Sequence, residues 1–278
     1  YDLKNTIFSF IPNTAEVAFY GLLKGMEDYL NRIKIERILS WNKDFDAEKL
    51  SEMVNRRIRV EKIAIKDVKM RTFITEDAGR NEMVQHVYDI TYGTVRKGID
   101  TIVVIDDSIV RGTTLKESII RMLARLEPKK IIIVSSSPQI RYPDCYGIDM
   151  SKMGEFIAFN AAIGLMKDHQ KTDCLQELFE RCKELQRTNQ LHTENVVKQV
   201  YKSFSAEEVS KKIAALITPP SLNIPVEVIF QSIEDLHKAC PNNLGDWYFT
   251  GDYPTPGGNR VVNKAFMNYM EGKNVRGY

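Results

Sequence analysis

Two adjacent carboxylates, Asp106 and Asp107, stand directly after an unbroken apolar run, Thr101 to Ile105. An apolar run of this kind is typical of a parallel strand that is covered on both faces. Carboxylates at the end of such a strand can accept hydrogen bonds from the hydroxyl groups of a ligand, and they attract a hard cation such as Mg²⁺. The pair is therefore the first candidate for a functional site.

The next seven residues, Ser-Ile-Val-Arg-Gly-Thr-Thr from Ser108 to Thr114, could bind a phosphate group. Gly112 lets the backbone turn tightly and approach a ligand closely. Thr114 and Glu117 predict a capping box at the start of the next helix, where free backbone N–H groups and the helix dipole attract an anion. A phosphate site beside an acidic pair that binds a diol indicates a ribose 5-phosphate ligand. The same residues could also serve only to start a helix.

The elements that must hold these residues alternate between strand and helix in the first half of the chain. Strands are predicted at residues 6–11, 59–65, 101–105 and 131–134, and helices at 15–30 and 115–126. The predicted buried residues are Val17, Tyr20, Leu23 and Leu30 in the first helix, and Ile119, Met122, Leu123 and Leu126 in the second. This alternation predicts an α/β fold with a doubly wound, mainly parallel sheet and ligands at the carboxyl ends of its strands.

No strand is predicted after about residue 165. The spacing of apolar residues predicts helices near 175–185, 205–216 and 225–240, and a capping box from Ser205 to Glu208 opens the second of them. From Pro241 onward, frequent Gly and Pro predict a loop-rich tail. We therefore predict a first domain at residues 1–165 and a helical extension at residues 166–278.

Composition excludes several classes of function. The 39 Lys and Arg residues nearly cancel the 37 Asp and Glu residues, so no basic surface for nucleic acid is indicated. No apolar run approaches the roughly 18 residues of a membrane span. The four cysteines, Cys145, Cys174, Cys182 and Cys240, have neither zinc-site nor disulfide-framework spacing. Scattered reduced thiols are typical of a cytoplasmic protein.

The complete string from Val104 to Thr114 resembles the loop that binds phosphoribosyl diphosphate (PRPP) in type I phosphoribosyltransferases. Its Asp-Asp-Ser-Ile-Val-Arg-Gly-Thr-Thr form is similar to that of the glutamine PRPP amidotransferase family. Further segments with family resemblance are Pro12–Thr14 (pyrophosphate loop), Arg71–Ile74 (flexible loop), Ser137–Pro143, Tyr146–Met150 and, more loosely, Phe249–Thr255. The resemblance implies the type I phosphoribosyltransferase fold for residues 1–165.

The resemblance also implies roles for individual residues. Asp106, Asp107 and Arg71 would be catalytic, and Asp106, Asp107 and Thr14 would contact Mg²⁺. The residues expected to bind PRPP are Lys69, Pro12, Asn13, Thr14, Ser108, Ile109, Val110, Arg111, Gly112, Thr113 and Thr114. Arg71 and Lys69 would close over the bound substrate.

In this family, ammonia replaces pyrophosphate at C1 of PRPP and gives 5-phosphoribosylamine, the first committed step of purine synthesis. A separate glutaminase domain, with a cysteine nucleophile at its mature start, supplies the ammonia. No cysteine lies near Tyr1, so we expect this chain to be the carboxyl-terminal portion of a longer amidotransferase that uses ammonia at most when alone. Feedback inhibition by purine nucleotides and a homo-oligomeric state are also implied.

Two departures from the family pattern affect these expectations. The stretch from Asn81 to Tyr88 is less basic than its counterpart in the family. Some members bind a [4Fe–4S] cluster, but the places of three cysteine ligands are taken here by Asp144, Gly245 and Tyr248, with Cys145 one position late. Because cluster iron is held by cysteine thiolates, no iron–sulfur cluster is expected.

Three alternatives remain open on the sequence. The chain could be a non-catalytic PRPP-sensing regulator with the same fold, although no DNA-binding segment is visible. It could be a transferase that uses a purine or orotate as nucleophile, although the loop of such enzymes usually lacks Ser-Ile-Val-Arg. The helical extension could serve oligomerisation only.

Overall fold

The protein is described by a computed structural model for residues 2–12, 14–41, 46–66, 88–146, 150–243 and 245–277. The strands in these ranges are β1 (Thr6–Phe10), β2 (Arg59–Val60), β3 (Ala64–Lys66), β4 (Tyr88–Ile90), β5 (Thr101–Asp106), β6 (Lys130–Ser135) and β7 (Val226–Phe230). Five of them form a sheet in the order β2-β1-β5-β6-β7, and β3 pairs with β4. Strand β1 is parallel to both β2 and β5.

Helices flank the strands in both halves of the chain. They are α1 (Glu16–Leu39), α2 (Ala47–Asn55), α3 (Ile120–Ala124), α4 (Ile157–Asp168), α5 (Asp173–Arg187), α6 (Lys198–Lys202), α7 (Ala206–Ile217), α8 (Ile233–Ala239), α9 (Trp247–Thr250) and α10 (Pro256–Met270). A π-helical segment, Leu115–Ile119, leads into α3. The predicted α/β fold, with a mainly parallel sheet and a helical carboxyl-terminal half, is confirmed.

The chain divides into two compact units. The first contains Tyr1–Asp107, Glu117–Val134 and Leu222–Pro225, and the second contains Ser108–Lys116, Ser135–Ser221 and Val226–Tyr278. In the first unit, the strands bury alternating residues against α1. Phe10 contacts Phe19 of α1 with ring centroids 5.0 Å apart, and Phe8, Leu30 and Val103 lie in the same cluster. Burial of this apolar surface holds the helix on the sheet.

A buried ion cluster fixes the start of β5 in the first unit. The Asp100 carboxylate is fully buried and accepts hydrogen bonds from Arg59 Nη1 at 2.6 Å and from the backbone N of Arg96 at 2.8 Å. The Arg96 guanidinium contacts the same carboxylate at 2.5 Å. Burial alone would raise the pKa of Asp100, but the bonds from Arg96 and Arg59 outweigh it and lower the pKa to about 2.

The second unit is mainly helical and has its own core. Helix α4 packs on α7, and α10 packs on α5. Phe159 of α4 meets Phe266 and Tyr269 of α10 edge to face, at centroid distances of 6.3 and 4.9 Å. The buried Asn263 side chain accepts from the backbone N of Val196 at 3.0 Å and donates to the carbonyls of Leu191 and Glu194. The core of the second unit therefore includes Phe159, which precedes residue 165, together with residues that follow it.

The buried face predicted for the first helix is wrong in part. Val17 and Tyr20 are 81% and 61% exposed, whereas Phe19 and Leu30 are buried. The sheet side of α1 follows the row through Phe19, Leu22, Leu23, Met26 and Leu30. Phe19 fits this row because it stacks on Phe10 of β1. In contrast, Ile119, Met122, Leu123 and Leu126 are all buried, as predicted for the second helix.

Three predicted boundaries also need correction. The strand at 59–65 is two strands, because the chain leaves β2 after Val60 and pairs again only from Ala64, with β4. A strand does follow residue 165: β7 takes up the first part of the predicted helix 225–240. The tail is not uniformly loop-rich, because α10 begins at Pro256. Proline is well tolerated at the first position of a helix, where no N–H donor is needed.

Among the described residues, no helix has the length and apolar character that crossing a membrane requires.

We predict that Asp100→Asn lowers the free energy of unfolding at pH 7 by about 3 kcal/mol, because it leaves two guanidinium groups without their buried counter-charge. The folded-state pKa of Asp100, about 2, lies below the unfolded value. The contribution of the charge is therefore complete above about pH 4 and decreases as the pH falls toward 2. Urea unfolding at pH 7 and pH 3 measures both effects.

The matched control is Asp28→Asn, which removes an exposed ion pair with Lys24 on α1. Exposed pairs of this kind contribute little, so its unfolding midpoint should not move. Equal midpoints for Asp100→Asn and the native chain at pH 7 would refute the structural role of the cluster.

Candidate functional site

The carboxyl ends of β1 and β5 lie side by side in the first unit. Phe10 is in register with Ile105, and the backbone N of Ile11 donates to the carbonyl of Ile105 at 2.9 Å. The loop that follows β1, with Pro12 buried and Thr14 exposed, therefore begins beside Asp106, the last residue of β5. The structure thus places Pro12, at the start of this loop, next to the end of β5, and the sequence predicted that both segments act on one ligand.

Asp106 is an unusual carboxyl group. Its side chain is half-buried, and its Oδ1 accepts from the backbone N of Asp107 at 3.0 Å. Desolvation, together with the neighbouring charge of Asp107, raises the pKa of Asp106 to about 8. Ionisation of Asp106 is therefore disfavoured, and a bound cation would favour it.

The base of a hairpin lies near the same ends of the strands. The backbone N of Ile63 donates to Ser9 Oγ at 3.2 Å, and β3 then pairs antiparallel with β4. The predicted site residues Lys69 and Arg71, which follow β3 in the sequence, lie outside the described residues. Asn13, which follows β1, also lies outside them. Ser9 was not predicted as part of the site. The feature that could have indicated it is a single hydroxyl side chain within an apolar strand.

In the second unit, the loop Ser108–Lys116 turns at Gly112. The φ angle of Gly112 is 72°, a conformation that favours glycine. A methyl group at this position would lie 2.9 Å from Ile217 Cγ2 and 3.4 Å from Ile157 Cγ1. Gly112 is thus required both by its backbone conformation and by close packing against α4 and α7.

The predicted capping box at Thr114 is wrong. The helix already begins at Thr113, and the carbonyl of Gly112 accepts the first helical bond, from the backbone N of Lys116 at 3.0 Å. Glu117 forms an ion pair with Arg121 at 3.1 Å. Thr113 is exposed and Thr114 is half-buried.

Two other residues of this loop form hydrogen bonds to other residues of the second unit. Arg111 donates to Glu155 Oε2 from Nε at 2.8 Å and from Nη2 at 2.6 Å. The carbonyl of Val110 accepts from the backbone N of Ile157 at 2.8 Å, and Ile109 is buried. Glu155, the partner of Arg111, could not be predicted from a local pattern, because it is 44 residues away.

The residues present fit a magnesium ion that is shared with a ligand. No group of three or more His, Cys, Asp or Glu side chains within the described ranges could hold a metal by itself. Mg²⁺ commonly binds through one or two carboxylates together with substrate phosphates and water. Burial and, second, the neighbouring charge of Asp107 raise the pKa of Asp106, and a bound cation would offset both effects.

The positions where some family members hold an iron–sulfur cluster contain a hydrogen-bonded pair. Tyr248 Oη donates to Asp144 Oδ1 at 2.7 Å, and the backbone N of Tyr146 donates to Asp144 Oδ2 at 2.9 Å. The backbone N of Tyr142 donates to the carbonyl of Tyr248 at 3.1 Å. Asp144 is fully buried, so these bonds satisfy a carboxyl group that has no access to water.

We predict that Asp106→Asn stabilises the protein at pH 8 by about 1–3 kcal/mol, because it removes a desolvated charge without changing the shape of the side chain. The folded-state pKa, about 8, lies above the unfolded value, so native stability should fall as the pH rises from 4 to 8. The variant should lack this dependence. Thermal unfolding of both proteins at pH 4 and pH 8 provides the measurement. If Asp106→Asn is less stable than the native chain by the same amount at both pH values, the prediction is wrong.

Sequence comparisons identify relatives over limited stretches. The chain is 50% identical over 58 residues to an amidophosphoribosyltransferase of Pasteurella multocida (strain Pm70), a match that spans 21% of this chain and 11% of the relative. It is 49% identical over 57 residues to the Escherichia coli (strain K12) protein of that name, a match that spans 20% of this chain and 11% of the relative. With the Staphylococcus aureus (strain Mu50) protein, identity is 33% over 110 residues, or 39% of this chain and 22% of the relative. No protein-family model matches the chain.

Two solved structures were also found to be similar. One is a glutamine PRPP amidotransferase from B. subtilis in complex with ADP and GMP, at 22% identity and a TM-score of 0.45, with 90% of this chain and 38% of that chain covered. The other is described as the allosteric regulatory enzyme of purine biosynthesis, at 24% identity and a TM-score of 0.45, with 90% and 37% covered. These matches span between about a tenth and about a fifth of the relatives' length. Over those stretches, the resemblance of this chain to the glutamine PRPP amidotransferase family is confirmed.

Proposed function

We propose that this chain carries the PRPP site of an amidophosphoribosyltransferase. The reaction replaces the pyrophosphate at C1 of PRPP with ammonia and forms 5-phosphoribosylamine. The observation that carries the proposal is the position of Asp106 and Asp107 at the end of buried β5, one backbone hydrogen bond from the loop after β1. The curated relatives that bear the name amidophosphoribosyltransferase support it.

The acidic pair would bind and stabilise the sugar. When the C1–O bond breaks, both electrons leave with pyrophosphate and the ribose ring becomes cationic. Asp106 and Asp107 would accept hydrogen bonds from the two ribose hydroxyls, and their negative charge would face the developing cation. The nitrogen of ammonia then forms the new bond to C1, and the resulting ammonium loses one proton to water.

The pyrophosphate would be received by backbone N–H groups around Pro12 to Ala15. Ala15 precedes α1 without a side-chain cap, so the first N–H groups of that helix are not used by a capping side chain. The Thr14 hydroxyl, which is exposed, would contribute with Asp106 and Asp107 to holding Mg²⁺. Bound Mg²⁺ supplies neutralisation of the charge on the leaving pyrophosphate.

The hydroxyls of Ser108, Thr113 and Thr114, with the backbone of this loop, would bind the 5-phosphate. Because Arg111 is paired with Glu155, we propose that it shapes this loop and does not neutralise the phosphate. Lys69 and Arg71 would close over the site and exclude water, which competes with ammonia.

The proposal includes partners and a cellular location. A glutaminase domain would supply ammonia, and purine nucleotides would inhibit the enzyme. A homo-oligomeric state and a cytoplasmic location are also part of the proposal, because the family resemblance implies them.

We predict that the protein releases pyrophosphate from Mg²⁺-PRPP when ammonium is supplied at alkaline pH, where free ammonia is abundant. Asp107→Ala should reduce this rate at least about 100-fold, since it removes a group aimed at charge in the transition state. A coupled pyrophosphate assay measures the rate. The control, Asp28→Ala on the exposed side of α1, should retain full activity.

Three outcomes would count against the proposal. PRPP binding without any release, even after a glutaminase domain is added, would support the regulatory alternative. Release only in the presence of orotate or a purine base would indicate a base-using transferase. An unchanged rate in Asp107→Ala would show that the acidic pair has another role.

We also propose that the enzyme works without an iron–sulfur cluster, because the Asp144–Tyr248 pair occupies the corresponding positions. Protein purified without oxygen should be colourless and contain no stoichiometric iron or sulfide. A brown preparation with about four iron atoms per chain would refute this expectation.

A further inference from the structure

The loop Ser108–Lys116 is held at two adjacent residues by one short segment of the second unit. Arg111 donates to Glu155 Oε2 from Nε at 2.8 Å and from Nη2 at 2.6 Å. The backbone N of Ile157 donates to the carbonyl of Val110 at 2.8 Å. Glu155 ends a 3₁₀ turn and Ile157 begins α4, so both anchors belong to regular structure. The position of the loop is therefore fixed from outside the motif.

The Glu155 carboxylate has a second cationic partner. Its Oε1 lies 3.3 Å from Lys152 Nζ, while its Oε2 accepts both bonds from Arg111. The three side chains are between 24% and 30% exposed, so their charges are screened less by water and salt than those of a surface pair. Partners on both oxygens leave the carboxylate little freedom to rotate, and the guanidinium of Arg111 is held with it.

A carboxylate at this place needs an explanation beyond stability. Ion pairs removed from water are often no more stabilising than apolar side chains of the same volume. A negative charge near a loop that is proposed to bind a phosphate would also repel the ligand unless a cation neutralises it. What the pair supplies is geometry, because a planar guanidinium binds a carboxylate in a defined orientation. The pair can thereby hold the loop backbone and the hydroxyls of Ser108, Thr113 and Thr114 in one arrangement.

We propose that Glu155 is a positioning residue for the 5-phosphate of PRPP. Through Arg111 it holds the loop in the conformation that receives the phosphate, and it does not itself contact the ligand. The inference rests on the function proposed above and adds to it a residue outside the motif with a specific effect. The 5-phosphate does not change during the reaction, so contacts to it are equally strong in the bound substrate and in the transition state. Glu155 therefore sets the affinity for PRPP and not the rate of transfer from the bound complex.

Glu155→Gln tests this role, because it removes the charge and preserves the size of the side chain. We expect the KM for PRPP to rise about tenfold, as for the loss of a charge-assisted hydrogen bond, and kcat to change by less than about twofold. The coupled pyrophosphate assay with ammonium measures both constants. The matched control is Glu180→Gln on α5 of the same unit, whose exposed carboxylate pairs with Lys183. Because exposed pairs contribute little, this variant should keep the native values of both constants.

Binding of the two halves of PRPP provides a readout that needs no catalysis. Ribose 5-phosphate carries the group that the loop would receive, and Mg²⁺-pyrophosphate carries the group that is proposed to bind near Pro12 to Ala15. Calorimetry should show that Glu155→Gln weakens the binding of ribose 5-phosphate about tenfold and leaves that of Mg²⁺-pyrophosphate unchanged. A variant that is merely less well folded would lose affinity for both ligands.

A double-mutant cycle tests whether Glu155 acts through Arg111. Arg111→Gln alone should raise the KM for PRPP about tenfold, and the double variant Arg111→Gln/Glu155→Gln should raise it no further. Two substitutions that interrupt the same interaction are not additive, whereas independent effects would multiply to about a hundredfold. Circular dichroism verifies that each variant is folded.

The proposal is overturned if Glu155→Gln keeps the native KM and the native affinity for ribose 5-phosphate, or if kcat falls while KM stays constant. Effects that multiply in the cycle would also overturn it, because Glu155 would then act by another route. Failure of the proposed function gives a different result. A native chain that binds ribose 5-phosphate but releases no pyrophosphate would contradict the reaction, and the binding measurements alone would then decide the role of Glu155. A native chain that does not bind ribose 5-phosphate would contradict both proposals.

Discussion

The parallel pairing of β1 with β5 is the constraint on which the candidate site depends. Each strand is followed by a loop with polar or charged residues, and the bond between Ile11 and Ile105 continues the ladder to the point where both loops start. A shift of the register by one residue would turn Phe8 and Phe10 away from α1 and would move Asp106 relative to Pro12. The packing of Phe10 on Phe19 therefore fixes the site geometry as well as the core.

The acidic pair is held at a cost in stability that the rest of the first unit must offset. Desolvation and the neighbouring Asp107 disfavour ionisation of Asp106, as the raised pKa shows. At the other end of β5, the buried charge of Asp100 is compensated by Arg59 and Arg96. A carboxylate with compensating partners thus stands at the start of this strand and a carboxyl group with a raised pKa at its end, and the second arrangement is typical of functional positions.

The sequence predicted the elements around the acidic pair well, because strong local signals define them. The apolar run before Asp106 and the spacing of Ile119, Met122, Leu123 and Leu126 each allow one arrangement in a covered sheet. The buried face of the first helix was harder to predict, since aromatic and branched residues occur on more than one of its faces. Only contact with Phe10 selects Phe19 over Tyr20.

Other features could not be read from sequence, for physical reasons that differ. Strand β7 is five residues long and directly precedes α8, so its pattern merges with that of a helix. Gly112, just before the helix start at Thr113, packs closely against Ile217, which is far away in the sequence. Long-range contacts of this kind leave no local pattern.

The loop from Ser108 to Thr114 shows why a motif is not a list of ligand contacts. Ile109 is buried, Val110 binds the backbone of Ile157, and Arg111 is paired with Glu155. These residues are therefore required for the conformation of the loop whether or not a ligand binds. Thr113, which is exposed, and Ser108 and Thr114, which are half-buried, have the hydroxyl groups that a phosphate could reach.

Sequence similarity along the whole loop therefore reflects two properties, the conformation of the loop and its contacts with a ligand. Substitutions at Ile109, Arg111 or Gly112 would disturb binding indirectly, through the fold of the second unit, and would lower stability together with activity. Substitution of the acidic pair should separate the two effects, because ionised Asp106 is unfavourable to stability but would be favourable to a bound cationic sugar. A residue that costs stability and has no packing role is best explained by the ligand it binds. The acidic pair meets that criterion better than any other part of the motif.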